Sequence, residues 1–190
     1  MCYNEEAKIE NCIRSVLAIS DEVVVLDSYS TDKTIELAES LGARIEYHEF
    51  MGYIKQRELS IASAKNDWVL ALDADEYLSP ELAHEINEFL KAPDADAVFL
   101  NRFNAINGYF LRHGSWFPHR IIRLFRKKAV YCGGNPPHDR IYAHKTSKTK
   151  NMQALLMHHC NEDIHDRVVT LNNHSTIAAR HRFTMGKNSN

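Results

Sequence analysis

Trp68-Val69-Leu70-Ala71-Leu72 runs directly into Asp73-Ala74-Asp75-Glu76. An apolar run of that length followed by acids reads as a buried strand whose carboxyl end opens at a site. Carboxylates crowded at a strand end repel one another. A hard divalent ion such as Mg²⁺ or Mn²⁺, which prefers oxygen ligands, relieves that repulsion and commonly carries phosphates.

A second acid-rich loop follows a second apolar run, where Val23 to Leu26 leads into Asp27-Ser28-Tyr29-Ser30-Thr31-Asp32. Ser30, Thr31 or Asp32 in that loop could cap the next helix, but Asp27 sits too early for capping. The elements needed to position both loops are legible in the first hundred residues. Glu5 to Ile19 places Ile9, Cys12, Ile13, Val16 and Leu17 at helical spacing, with Glu5 and Glu6 at the positive end of the helix dipole. Glu22 to Leu26 reads as a strand, Thr31 to Leu41 as a helix closed by Gly42, and Ala43 to Tyr47 as a strand. Ile54 to Ala64 is a further helix, Trp68 to Leu72 a strand, and Ser79-Pro80 the cap and first turn of a helix reaching about Lys91. This alternation predicts an α/β fold, a mostly parallel central sheet flanked by helices, with ligands beyond the carboxyl ends of the strands.

The chain has 190 residues, 44% hydrophobic and 25% charged, which fits one domain over 1–190. No apolar run is long enough to span a bilayer, and no basic start followed by an apolar stretch marks a secretory signal, so a cytoplasmic location is expected. Cys2, Cys12, Cys132 and Cys160 lack paired spacing and read as free thiols. The net charge of −2 hides an asymmetry: residues 1–100 hold 8 Lys+Arg against 21 Asp+Glu, and residues 101–190 hold 15 against 4. An acidic half suits a metal and a basic half suits an anionic partner, or the two halves attract each other across one fold.

Four segments in order resemble the family 2 glycosyltransferases: Tyr3-Asn4-Glu5-Glu6, Val25 to Thr34, Gln56-Arg57, and Asp67 to Glu76. Downstream, His113-Gly114-Ser115-Trp116-Phe117-Pro118, Arg123-Leu124-Phe125-Arg126 and His138-Asp139 are similar to the branch that includes lipopolysaccharide inner-core glucosyltransferases. The resemblance runs from Met1 to about Gly186. It implies a nucleotide-sugar-binding half over 1–100 and an acceptor-binding half over 101–190 that ends in an amphipathic helix, Glu162 to Arg182.

The same resemblance implies roles residue by residue. Tyr3 and Asp27 would lie near the uridine base and ribose, with Asn4 and Glu6 in the same donor-binding segment and Arg57 near the nucleotide. Asp73 and Asp75 match the Asp-x-Asp pair, Asp75 as ligand of the Mg²⁺ or Mn²⁺ bridging the diphosphate and Asp73 toward the ribose or donor sugar. His158 resembles a histidine that some relatives place near the metal. Asp139 stands where this branch reads Glu and would be the general base of an inverting transfer. The implied reaction moves a hexose, glucose first, from a UDP-sugar to a lipid-linked saccharide of the lipopolysaccharide core. Arg112, His113, Trp116, Phe117, His119, Arg120 and Arg123 would form the acceptor surface, and Arg126-Lys127-Lys128 with the terminal helix would give peripheral membrane contact.

The chain departs from that pattern in lacking an apolar strand before Tyr3, in Glu58 where relatives favour Asn, and in His119 where they favour Asp. The missing first strand raises a second reading, an inactive or truncated remnant that acts only as a binding protein. Other classes fit less well. A nucleotidyltransferase would use a glycine-rich phosphate loop, which the seven glycines do not supply. No nucleic-acid motif accompanies the basic half, and His158-His159-Cys160 with His165 matches no zinc spacing.

Overall fold

The computed structural model describes residues 1–136, 138–161 and 163–186. Its first part follows the expected alternation: α1 (Ile9–Arg14), β1 (Val24–Asp27), α2 (Thr34–Ser40), β2 (Arg44–Tyr47), α3 (Tyr53–Ser63) and β3 (Trp68–Leu70). After β3 the chain turns into a short strand, β4 (Glu76–Leu78), and then α4 (Pro80–Lys91). Ser79 caps α4 by accepting a hydrogen bond from Leu82 N at 3.1 Å, Pro80 fills the first turn, and Leu82, Ile86 and Phe89 bury one stripe. The first helix is shorter than its apolar periodicity suggests. Beyond Arg14 the bonds tighten to i→i+3, as in Val16 N to Ile13 O, and the Ser15 hydroxyl bonds the Cys12 carbonyl.

The basic part of the chain is mainly strand: β5 (Ala97–Ile106), β6 (Tyr109–Phe110), β7 (His119–Arg126), β8 (Val130–Asn135), β9 (His138–Ala143) and β10 (Thr149–Asn161). The larger sheet has the order β3-β7-β5-β10-β4, with β6 folded back on β5. It is mixed. β5 and β10 run parallel, while β3–β7, β5–β7 and β4–β10 are antiparallel. The sequence reading gave a mostly parallel sheet because it saw only the helix-crossover half. In the other half no α-helix lies between β5 and β10 among the described residues, and β6 and β7 each pair with β5 as antiparallel neighbours. β8 and β9 form a separate hairpin whose Gly134 has a positive φ of 113°; a Cβ there would collide with the His138 carbonyl oxygen.

One face of the sheet packs Val98, Leu100, Leu124 and Leu156 against α4, and the other packs Ala97, Ile122 and Phe125 against Val69, Val130 and Ile141. Each such large apolar side chain contributes about 1.5–3 kcal/mol through burial.

β1 and β2 pair in parallel as a sheet of their own. Met1 to Tyr3 adds a single parallel bridge, Cys2 opposite Asp27, with Cys2 N donating to Leu26 O at 2.9 Å and Ser28 N to Cys2 O at 3.0 Å. Among the described residues no strand precedes α1. Between β1 and β3 lies an apolar cavity of about 230 Å³, lined by Val23, Val25, Ile61, Trp68 and Leu70.

The last element is α5 (Ile164–Thr184), capped by Asp163. Glu162, where the sequence reading began this helix, lies outside the described residues. The helix buries none of its residues; Arg167 sits 5.0 Å over the Trp116 ring and His174 meets His138 edge to face. Among the described residues no helix is long and apolar enough to cross a membrane.

Candidate active site

The carboxyl end of β3 carries the expected acids, and a tight turn sends them in opposite directions. Asp73 N donates to Glu76 Oε2 at 3.1 Å and Glu76 N donates to Asp73 O at 3.0 Å. The turn leads into β4, which registers Glu76 opposite His158 on β10. Asp75 is thereby held against β10, its carbonyl accepting from His159 N at 3.0 Å and its Oδ2 lying 3.2 Å from His158 Nε2.

Asp73 faces the other way, into a ladder of alternating charge. Its Oδ1 is 2.8 Å from Arg57 Nη2 and its Oδ2 is 2.5 Å from Arg123 Nη2. Arg123 continues to Glu76 Oε1 at 2.8 Å, and Arg102 reaches the same oxygen at 3.2 Å. At the far end Arg57 Nε bonds Asp139 Oδ2 at 2.8 Å. Burial opposes the charge of Asp73, but the Arg123 and Arg57 guanidiniums outweigh it and hold the carboxyl well below the usual range. Arg123 and Glu76 are themselves buried. Arg123, expected on the acceptor surface, therefore belongs to this internal ladder. The opposite charges of the two halves meet here, in pairs between residues far apart in sequence.

The loops at the ends of β1 and α1 are laced together. Asn4 Oδ1 accepts from Thr31 N at 2.8 Å, Asn4 N donates to Ser30 Oγ at 2.9 Å, and Glu6 Oε2 accepts from Lys33 N at 2.9 Å. Asp32, just before α2, accepts from Thr34 N and Glu6 N, both at 3.0 Å. The Asp27 carboxylate is fully buried and engaged by Ser30 N at 2.8 Å, Ser30 Oγ at 2.5 Å and Cys2 Sγ at 3.5 Å. Asn4, Glu6 and Asp27 thus shape the loop with their side chains. Tyr3 remains exposed, as does Tyr29, which holds a positive φ of 63° and stacks on Tyr47 at 5.8 Å.

Beside Asp75 opens a polar cavity of about 340 Å³ lined by Glu5, Lys8, Asp75, Cys160 and Asp166. Burial alone would push the His158 imidazole down, but its hydrogen bonds to Asp75 and Cys160 lift it to about 10. Its Nδ1 lies 2.7 Å from Asn104 Oδ1. Strand alternation turns His159 to the opposite face, where it meets Tyr77 Oη at 3.1 Å. Among the described residues no three His, Cys, Asp or Glu side chains converge on a cation position. Asp75 offers a carboxylate to a Mn²⁺-type ion, whereas His158, both of whose ring nitrogens are hydrogen-bonded, would offer an imidazole nitrogen only on giving up a proton as the ion enters. Glu5, absent from the sequence-derived site, lines the same cavity; burial and the nearby Asp75, Asp73 and Asp32 raise its carboxyl. Its spacing gave no sign of this, whereas Arg123 could have been noticed as a charge inside the apolar run Ile121 to Phe125.

On the other side of the ladder, Phe117 packs on Phe103 at 5.1 Å, and Arg112 covers the same ring at 5.5 Å. His119 Nδ1 accepts from Arg102 Nε at 3.4 Å. Burial first, then the charges of Arg102, Arg140 and His158, push His119 down to about 4.

An α/β domain with helices on a mixed sheet, acids at a strand end and a polar cavity beside them is the architecture of a ligand-binding enzyme domain whose site lies beyond the carboxyl ends of its strands. The model described as Glycosyl transferase family 2 matches residues 1–161, and the chain belongs to that family. It is similar to an uncharacterized glycosyltransferase of Rickettsia bellii (strain RML369-C), 32% identical over 97% of this chain and 66% of the relative. It is also similar to the lipopolysaccharide core biosynthesis glycosyltransferase LpsC of Rhizobium meliloti (strain 1021), 28% identical over 98% of this chain and 71% of that one. The chain thus spans somewhat under two thirds of the length of the Rickettsia relative. Among solved structures, S. aureus TarS 1-349 in complex with UDP-GlcNAc shares the fold, with a TM-score of 0.62 at 19% identity, covering 87% of this chain and 58% of that one.

Proposed function

We propose that the chain transfers a hexose, glucose first, from a UDP-sugar to a saccharide acceptor of the lipopolysaccharide core with inversion at the anomeric carbon. The observation that carries this reading is the split of the Asp-x-Asp pair, Asp75 turned to His158 and a polar cavity, Asp73 tied through Arg57 to Asp139. The similarity to LpsC supports the acceptor class, and the UDP-GlcNAc bound by TarS supports a UDP-sugar donor.

Asp75 and His158 would hold a divalent ion, which when bound supplies Lewis-acid stabilisation to the departing diphosphate. Tyr3 offers an exposed ring for the base, on loops that Asn4, Glu6 and Asp27 keep in shape. Asp139 takes the proton of the acceptor hydroxyl as that oxygen bonds to the anomeric carbon and the bond from that carbon to the β-phosphate oxygen breaks, its electron pair leaving with UDP. Arg112 and the rings beside it form the acceptor wall, and α5 is the peripheral membrane contact.

Calorimetric titration of the chain with UDP, with and without Mn²⁺, tests the donor site, with Asp75→Ala as control. Mn²⁺-dependent binding that the variant loses is the expected result. Absence of binding by the folded chain would replace this reading with the second one, a member of the family that acts only as a binding protein.

A further inference from the structure

We propose that Arg57 is a positioning residue for Asp139, a strut between the donor loop and the acceptor-side hairpin, and not a ligand of the nucleotide. The inference rests on the reading of Asp139 as general base given above. Arg57 projects from α3 and is only 3% exposed. Its Nε and Nη2 hydrogens leave the same edge of a rigid planar group, and each is spent on a different carboxylate: Asp139 Oδ2 and Asp73 Oδ1, both at 2.8 Å. A diphosphate could reach that edge only by displacing one of them.

The two carboxylates come from opposite parts of the chain. Asp73 opens the turn between β3 and β4, and Asp139 lies on β9, opposite Gly134 in the hairpin register. Asp73 is itself pinned by Arg123 through its other oxygen, so the strut has a fixed foot. Among the described residues only Oδ2 of Asp139 is bonded, which leaves Oδ1 as the oxygen that receives the proton. A base held by one oxygen, with its plane set by a buried guanidinium, meets the geometric demand of proton abstraction. Lysine cannot replace this arrangement, since a single ammonium on a flexible stem does not present two parallel donors.

The test compares wild type, Arg57→Lys and Arg57→Ala, reading UDP affinity by calorimetry in Mn²⁺ and UDP release from UDP-glucose with a deacylated lipopolysaccharide core oligosaccharide as acceptor. UDP affinity within about twofold of wild type, with turnover lowered about 10²-fold in both variants, is the expected result for a displaced base. Added methylguanidinium restores part of the turnover of Arg57→Ala. UDP affinity that falls in step with turnover overturns the proposal and makes Arg57 a nucleotide contact; unchanged turnover in Arg57→Lys also overturns it. If Arg57→Ala does not fold, Arg57→Lys, which keeps the charge, decides alone. Failure of the underlying reading looks different: wild type would not bind UDP, or Asp139→Asn would keep full turnover.

Discussion

His158 Nε2 lies 3.2 Å from Asp75 Oδ2, while its neighbour on β10, His159, points to the opposite face and meets Tyr77. Two adjacent histidines therefore have different duties, separated by the alternation of a strand. His158→Gln is expected to weaken Mn²⁺-dependent UDP binding by about tenfold or more, as loss of a metal-site partner does. His159→Gln leaves that binding unchanged. Calorimetry of both variants checks the contrast, and equal losses would remove His158 from the site.

Arg123 carries the heaviest structural charge of the ladder. It is buried and bridges Asp73 and Glu76, the latter fully enclosed. Removing one member of a buried pair strands the other, at a cost of about 3–5 kcal/mol. Arg123→Met should lower the denaturant midpoint accordingly. Glu76→Gln, which keeps a hydrogen-bond acceptor for Arg123, should cost less. A midpoint unmoved in Arg123→Met would mean that the ladder contributes nothing to stability.

Wherever local rules decide, the chain states its structure openly. Ser79-Pro80 marks the start of α4 because a cap and a first-turn proline act within one turn, and the apolar run Trp68 to Leu72 gives β3 and the acids after it. β5, β7 and β10 are harder to see, since their partners include strands distant in sequence and Arg102 and Arg123 interrupt the apolar pattern for the sake of Glu76. The same distance hides the site. Nothing in the spacing of Arg57 and Asp139 announces a 2.8 Å contact, and nothing near Glu5 announces Asp75 across a cavity. Asp27 illustrates the converse, a conspicuous acid whose carboxylate the fold spends on its own loop.

His119 sets a pH dependence of stability. Its folded value of about 4 lies below the ordinary 6.5, so between these limits the unfolded chain binds a proton that the folded one does not. Stability from this group is present above about pH 6.5 and is lost as the pH falls toward 4. Asp73 acts in the same direction but in a lower window, since its folded value is depressed beneath that of an ordinary carboxyl. Thermal unfolding followed across pH 7 to 4 should therefore show a decline that flattens in His119→Asn. An equal slope in wild type and variant would assign the decline to other groups.

Along α5, Ile164, Val168 and Leu171 recur at i, i+4 and i+7, and all three are exposed. No segment of the described chain covers them, and Arg167, Arg180 and Arg182 stand on the same helix. An exposed apolar stripe on a helix whose far end carries Arg180 and Arg182 suits the interface of an anionic bilayer, where the stripe sinks below the headgroups and those guanidiniums meet phosphate. Flotation with vesicles containing phosphatidylglycerol should recover the protein, and vesicles of phosphatidylcholine alone should recover less. Ile164→Asp combined with Leu171→Asp should abolish recovery without lowering the unfolding temperature, because neither side chain is buried in the fold. Recovery unaffected by that double substitution would take the membrane role away from α5.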